Sequence, residues 1–365
     1  MEYFLIIGAF LIGFVIVFIV VPPILRVAYA KQLFEPFEER KIHTKIVPPL
    51  GGVAIFIGFI LSTILASNGL SFDSLKYIIA AVILMFFIGL KDDLVSISAR
   101  KKLTIQIFAV LILITMGDIR FTNLHGILGT YDIGYITSVT VSLFSMVVII
   151  NAFNLIDGID GLAAGLSMLA ATVFGVWFFI SGHFEFAIMS FALVGSLACY
   201  FLYNVFGNKN KLFMGDTGSL IIGLILSILV VKFNEFNIIK TTTFAIGGAP
   251  AVSFAIIIVP LIDTLRVMTI RIRQRQSPFT ADNNHIHHRL LNLFHSHLKV
   301  TIIIVSANII IIAIALLLNN ISLNNNIQLL IIFLVGIMFS FIPSILINIR
   351  SLKETKGSQA VKQVS

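Results

Sequence analysis

Apolar runs recur along the whole chain, most of them close to the ~20 residues that a helix needs to cross a hydrocarbon layer about 30 Å thick. They lie near 3–25, 51–68, 76–90, 103–117, 136–152, 162–181, 185–203, 218–232, 250–268, 300–318 and 327–349. A hydrophobic share of 58% against 12% charged residues excludes an ordinary soluble domain of 365 residues. The expected fold is therefore all-α, a polytopic integral membrane helical bundle of about eleven transmembrane helices. Residues 1–350 form its single domain, and the polar segment 351–365 is expected to be a disordered tail. Met1-Glu2 leads straight into apolar sequence without a basic n-region or a small-residue cleavage site, so the first run is read as a retained span.

Basic residues orient this bundle. With the N-terminus outside, 21 of the 25 Lys and Arg fall on the cytoplasmic side, leaving Lys76, Arg120, Lys232 and Lys240 outside. The positive-inside rule thus favours N-out and C-in. The net charge of +8 is then mainly a topology signal, and nucleic acid is not implied. A single cysteine, Cys199, inside an apolar run, excludes a disulfide framework and a Cys-based metal site.

Against this background, acids and amides cluster at span ends on the inner side. Asn151-Ala-Phe-Asn154-Leu-Ile-Asp157-Gly158-Ile-Asp160-Gly161-Leu-Ala163 joins two apolar runs. Helical spacing places Asn151, Asn154 and Asp157 on one face, with Asp160 beyond the glycine break. Carboxylates at a membrane boundary are expensive unless they bind something, and a cation is the natural first partner. Asp92-Asp93 closes the third run, and Gly215-Asp216-Thr217-Gly218-Ser219 opens the eighth, so that backbone N–H groups and a carboxylate face the same water. The structural alternative is that these Asn and Asp are helix caps.

The basic and His-containing loops fall on the same side. Arg40-Lys41-Ile42-His43-Thr44-Lys45, followed by Pro48-Pro49 and Gly51-Gly52, suits an anion-binding entry to a helix, or else a topology anchor. Lys101-Lys102 with Gln106 opens the fourth run as a phosphate or headgroup contact, and Lys211 precedes Asp216. His285-Ile286-His287-His288-Arg289 suits phosphate oxygens better than zinc, because no Cys and no His-Glu-x-x-His accompanies it. Asp263 and Arg266 read as a structural pair. The outer loop Asp118 to Tyr135 is expected to form a short hairpin without chemistry, with His125 exposed. His183, His295 and His297 carry no usable partner pattern, and the last two runs read as packing or lipid-facing helices.

Together these patches resemble the polyprenyl-phosphate N-acetylhexosamine-1-phosphate transferase family, in consistent order across about residues 40 to 290. The carriers are Arg40-Lys41-Ile-His43 with Pro-x-Gly-Gly, Asp92-Asp93, Lys102-Leu-x-x-Gln106, Asn-x-x-Asn-x-x-Asp-Gly-x-Asp-Gly-Leu-Ala, Gly-Asp-x-Gly-Ser and His-x-His-His-Arg. Each is weak alone, whereas the ordered set is specific. Two positions depart from the usual pattern: Ser96 stands where many relatives carry a third acid, and Asn283 where many carry a basic residue.

The resemblance implies an eleven-helix bundle in the bacterial inner membrane with its active site facing the cytoplasm. It implies attack of undecaprenyl phosphate on the β-phosphate of a UDP-N-acetylhexosamine, release of UMP, and a start to cell-wall, O-antigen or teichoic acid synthesis. The His-x-His-His-Arg loop points to UDP-GlcNAc as donor. The translocase branch, which uses UDP-MurNAc-pentapeptide, has a His loop ending in Phe-Glu. Another UDP-N-acetylhexosamine or that translocase substrate is the alternative donor, and an ion-coupled transporter is the rival class. The expected cofactor is Mg2+, with Mn2+ as its substitute, held by Asp216, Asp92 and Asp93. Asp92, Asp93, Asp157 and Asp160 are the expected catalytic acids. Arg40, His43, Lys45, Lys102, Asn151, Asn154, Lys211, His285, His287, His288 and Arg289 are the expected substrate contacts. Homodimers are known in the family.

Overall fold

The computed structural model describes residues 2–33, 47–67, 72–208, 210–239, 244–275, 285–321 and 323–364. The chain opens with α1 (Glu2–Ala30), α2 (Gly51–Ala66), α3 (Leu75–Leu94) and α4 (Ala99–Thr115). A hairpin of β1 (Asn123–Ile127) and β2 (Thr130–Asp132) leads to α5 (Tyr135–Ile156), α6 (Leu162–Ile180), α7 (Phe184–Phe206) and α8 (Gly215–Phe236). Then follow α9 (Ala249–Ile256), α10 (Ile258–Arg273), α11 (Ile286–Phe294), α12 (His297–Asn320) and α13 (Asn325–Val364). The apolar runs of the sequence fall on helices, one of them (250–268) divided between α9 and α10, and α13 continues through the segment expected to be a disordered tail.

Among the described residues seven helices are long and apolar enough to cross a membrane, or eight if α9 and α10 are one broken span. The outward faces are apolar: Phe18, Phe87, Phe108 and Phe144 are all exposed, which suits lipid rather than water. The protein is a polytopic helical membrane protein. The run 250–268, expected as one span, is instead bent by 74° between α9 and α10. Pro260 has no N–H to give the Ile256 carbonyl, so the helix breaks at Ile257. Asn308 of α12 donates its side-chain amide to the Ala255 and Ile256 carbonyls at 3.2 Å each, satisfying acceptors freed by the break.

α8 is the enclosed centre, packed against α2, α3, α5, α6 and α9. Small residues permit the close approach on which packing within lipid relies. A Cβ on Gly223 would stand 2.7 Å from the Ile150 Cα of α5, and one on Gly89 of α3 would stand 2.5 Å from the Thr217 Cα. The start of α2 is joined to the start of α8 through backbone: Gly51 N donates to Phe213 O (2.8 Å), Gly52 N to Met214 O (2.9 Å) and Phe213 N to Pro48 O (3.0 Å). This corrects the reading of the Gly51-Gly52 turn as an anion-binding helix entry, because both N–H groups already have carbonyl partners.

The hairpin forms as expected, but His125 is buried, not exposed, with its Nε2 3.1 Å from Asn234 O near the end of α8. Thr122 gives its N–H and hydroxyl to the two Glu235 oxygens at 2.7 Å each. Asn325 and Asn326 at the start of α13 donate to the His125 and Gly126 carbonyls at 2.7 and 3.1 Å. The asparagines of an otherwise featureless pair of helices therefore fasten the hairpin.

Candidate active site

At the opposite end of α8 the polar clusters of the sequence converge. Asp92 sits in the last turn of α3, where its Oδ1 accepts from Ile97 N at 2.8 Å and shapes the turn into α4. That turn delivers Lys102, in the first turns of α4, to Asp92 and Asp216 together: Lys102 Nζ lies 2.6 Å from Asp92 Oδ2 and 2.8 Å from Asp216 Oδ2. Asn154 of α5 donates its amide to Asp216 Oδ1 and, at 2.8 Å, to Ser219 Oγ.

Asp93 plays a different part from its neighbour. Its Oδ1 accepts from Asp216 N (2.7 Å), and its Oδ2 from Thr217 N (3.0 Å) and Thr217 Oγ1 (2.5 Å). It is a cap for α8 supplied from another helix, satisfying N-terminal donors that have no partner within α8. Gly215 makes the joint feasible: its φ of +68° favours glycine, and a Cβ there would stand 2.6 Å from Asp93 Oδ2. Asp93 thus aims Asp216, and both its oxygens are occupied without a metal.

The loop 157–161 borders this group. Asp157 has no hydrogen-bond donor among the described residues; burial, then the fields of Asp216, Asp93 and Asp160, push its carboxyl up to about 7. Asp160 goes the other way. Burial alone raises it, but the hydrogen bonds from His297 and Lys211, with their charges, outweigh burial and hold the carboxyl below its ordinary value. Its Oδ2 lies 2.7 Å from both Lys211 Nζ and His297 Nδ1. Its backbone carbonyl accepts from Thr301 Oγ1 at 3.0 Å. Asp160 therefore ties the loop to α12 through His297 and Thr301, and to the segment before α8 through Lys211, whereas the sequence reading placed Asp160 among catalytic acids and Lys211 among substrate contacts. Asn151 is also committed elsewhere: its amide and that of Gln106 are matched, with Nδ2 2.8 Å from Gln106 Oε1.

The His segment reaches the same loop from α11. His287 is buried against Gly158, where a Cβ would overlap its Nε2, and neither ring nitrogen has a hydrogen-bond partner among the described residues. Burial, then His288, His285 and His297, hold its pKa well below the ordinary imidazole value, so the ring is neutral and supplies no positive charge to a phosphate. His285 Nδ1 is 2.8 Å from Asp263 Oδ2, and Asp263 Oδ1 accepts from Ile286 N at 2.9 Å. The sequence reading gave Asp263 only Arg266, which is 3.6 Å away. Asp263, His285 and His287 each offer a ligand atom within 4.8 Å of one another, a set able to hold a metal, although Asp263 already engages His285. His288 is half-buried beside His287, and Arg289 Nη1 donates to Ser344 Oγ of α13 at 2.6 Å. Arg40, His43 and Lys45 lie outside the described residues.

Sequence reasoning missed Thr217, Asn204 and His297, and paired Asp263 with Arg266 when His285 lies closer. Thr217 stood inside a quoted motif, and Asn204, which accepts from Gly161 N at 2.7 Å, stood just before one. His297 offered no spacing signal, since its partner is 137 residues away.

A family model described as Glycosyl transferase family 4 matches residues 75–234, the stretch that carries Asp92, Lys102, Asn154, Asp157 and Asp216. A similar protein is the probable undecaprenyl-phosphate N-acetylglucosaminyl 1-phosphate transferase of Bacillus subtilis (strain 168), 31% identical over 293 residues, 80% of this chain and 79% of the relative. The chain belongs to the polyprenyl-phosphate N-acetylhexosamine-1-phosphate transferase family. Two further members are similar over much of their length. The undecaprenyl-phosphate alpha-N-acetylglucosaminyl 1-phosphate transferase of Escherichia coli (strain K12) is 30% identical, over 73% of this chain and 71% of its own. The decaprenyl-phosphate N-acetylglucosaminephosphotransferase of Mycolicibacterium smegmatis is 33% identical, over 73% and 70%. Membership in this family removes the support for an ion-coupled transporter.

Proposed function

We propose that the chain transfers N-acetylglucosamine-1-phosphate from UDP-GlcNAc to undecaprenyl phosphate and releases UMP, starting an envelope polysaccharide. The work is done on the cytoplasmic side of the bacterial inner membrane by an eleven-span, N-out and C-in bundle, supported by the 21 of 25 basic residues assigned to that side. The observation that carries the reading is the meeting of Asp92, Lys102, Asn154 and Asp216, from four different helices, beside Asp157 and His287.

In the reaction an oxygen of the lipid phosphate bonds to the β-phosphorus of the donor. The bond from that phosphorus to the oxygen bridging the α- and β-phosphates breaks, and UMP leaves with the electron pair. Both reactants are anions, so the site must cancel charge while it aligns them. Asp92 and Asp216 fit Mg2+, or Mn2+: hard carboxylate oxygens already drawn round one cation, the Lys102 ammonium. When bound, Mg2+ neutralises phosphate oxygens and eases departure of UMP. Asp93 leaves the expected ligand set and instead positions Asp216. Asp157, with its carboxyl at about 7, is matched to take a proton from a lipid phosphate whose second pKa is about 6.

His285, His287, His288 and Arg289 close the loop side and contact the sugar and pyrophosphate, His287 by hydrogen bonding rather than by charge. Asn151, Asp160 and Lys211 hold the loops in register. The prenyl chain stays among the exposed apolar faces, so only its phosphate enters the site.

Purified protein given undecaprenyl phosphate, Mg2+ and UDP-GlcNAc should yield UMP and a lipid-linked pyrophosphoryl sugar, both read by mass spectrometry. Parallel reactions with UDP-GalNAc and UDP-MurNAc-pentapeptide define the donor. Absence of UMP with every donor sinks the proposal.

A further inference from the structure

Lys102 is held by the two carboxylates that the reaction needs for its metal. Its ammonium touches Asp92 Oδ2 at 2.6 Å and Asp216 Oδ2 at 2.8 Å, and these acids come from α3 and α8. The Lys102 and Asp92 side chains are 16% and 9% exposed and that of Asp216 is 31% exposed, so water screens the Lys102–Asp92 contact poorly while the Asp216 side stays open to an incoming ion. The neighbouring acids have other arrangements: Asp93 is filled by the N-terminus of α8, and Asp160 already holds Lys211 and His297 on its Oδ2.

We infer that Lys102 occupies the divalent-cation seat between Asp92 and Asp216 and must be displaced for a metal to enter, so that the protein carries a competitor for its own cofactor. The inference rests on the reading of Asp92 and Asp216 as metal ligands. Both occupants require the same two oxygens. A divalent ion at the ~2.1 Å expected for Mg–O bonds leaves no room for an ammonium on those atoms, and the two cations repel each other at such a separation. The lysine stem is flexible and its head is a point charge with three donors, so the displaced ammonium swings to a new anion without helix movement. The phosphates of the donor supply that anion. Metal and nucleotide therefore bind with positive coupling, because each removes the penalty of moving Lys102 for the other.

The test is Mn2+ binding to the detergent-solubilised full chain, followed by the electron paramagnetic resonance signal of free Mn2+, without substrate. Lys102→Met and Lys102→Gln should each bind Mn2+ about tenfold more tightly than the natural protein, and Lys102→Arg should not. UDP should tighten Mn2+ binding in the natural protein and much less in Lys102→Gln. Two neutral variants that bind no more tightly than the natural protein overturn the inference. Asp216→Asn keeps the two readings apart: should it bind Mn2+ as well as the natural protein does, the metal seat itself is misassigned.

Discussion

The C-terminal end of α8 holds Glu235 and the N-terminal end holds Asp216, separated by most of a helix about 33 Å long. Glu235 has its two oxygens filled by Thr122, inside a network of asparagine amides and backbone carbonyls that clips the hairpin in place. Asp216 shares one ammonium with Asp92, and Asp157 beside them has no donor among the described residues. Both ends bury acids near apolar helices, yet only one supplies each acid with enough donors. A network built for stability satisfies its members, whereas one built to receive a ligand leaves charge uncompensated.

The contrast is broken most sharply by swapping an acid for its amide at each end. Asp216→Asn should lower UMP release by at least about a hundredfold while the protein stays folded. Glu235→Gln should leave turnover near normal and lower the melting temperature only slightly, since the amide oxygen still accepts from the Thr122 N–H and its NH2 donates to Thr122 Oγ1, so that only the charge assistance of the two hydrogen bonds is lost. Equal losses of turnover in the two variants would erase the distinction. A smaller effect is expected where packing, not charge, holds the acidic end. Gly52→Ala places a Cβ over the Gly218 amide nitrogen, so α2 must move off α8. That should cost about 1–3 kcal/mol of stability and reduce turnover along with it, as read by melting and by initial rate.

The helices were legible because apolar runs of spanning length have few other uses, and the clusters were legible because acids at span ends are costly. What stayed hidden was assignment within each cluster. Asp92 and Asp93 are adjacent in sequence, but they point to different partners, and nothing in a bare Asp-Asp shows that Asp93 caps a helix more than 100 residues later. The same limit applied to Asp263, whose nearest basic neighbour in sequence is farther from it than His285, 22 residues on. His125 looked like a loop residue because its burial depends on the end of α8, and the Gly51-Gly52 turn looked like an anion site because its carbonyl partners lie near residue 213. Long-range closure, not local pattern, decided each of these.

The finest test of the unbalanced end is the proton on Asp157. Burial, then the neighbouring carboxylates, raise this group from 3.8 to about 7 in the folded protein. Folding therefore favours its protonated form. The unfolded chain gives up the proton near 3.8, so the penalty for ionising Asp157 is absent below that pH, grows as pH rises and levels off above about 7. Asp157→Asn removes the penalty. In metal-free detergent the variant should melt above the natural protein by a margin that widens between pH 5 and pH 8, by a few degrees at most, and Glu235→Gln should show no such widening. Saturating Mn2+ should narrow the margin, since a cation beside the acids favours the ionised carboxylate. A margin independent of pH would mean that Asp157 already has a partner at the acidic end, and that the two ends of α8 differ less in their charge balance than their hydrogen bonds indicate.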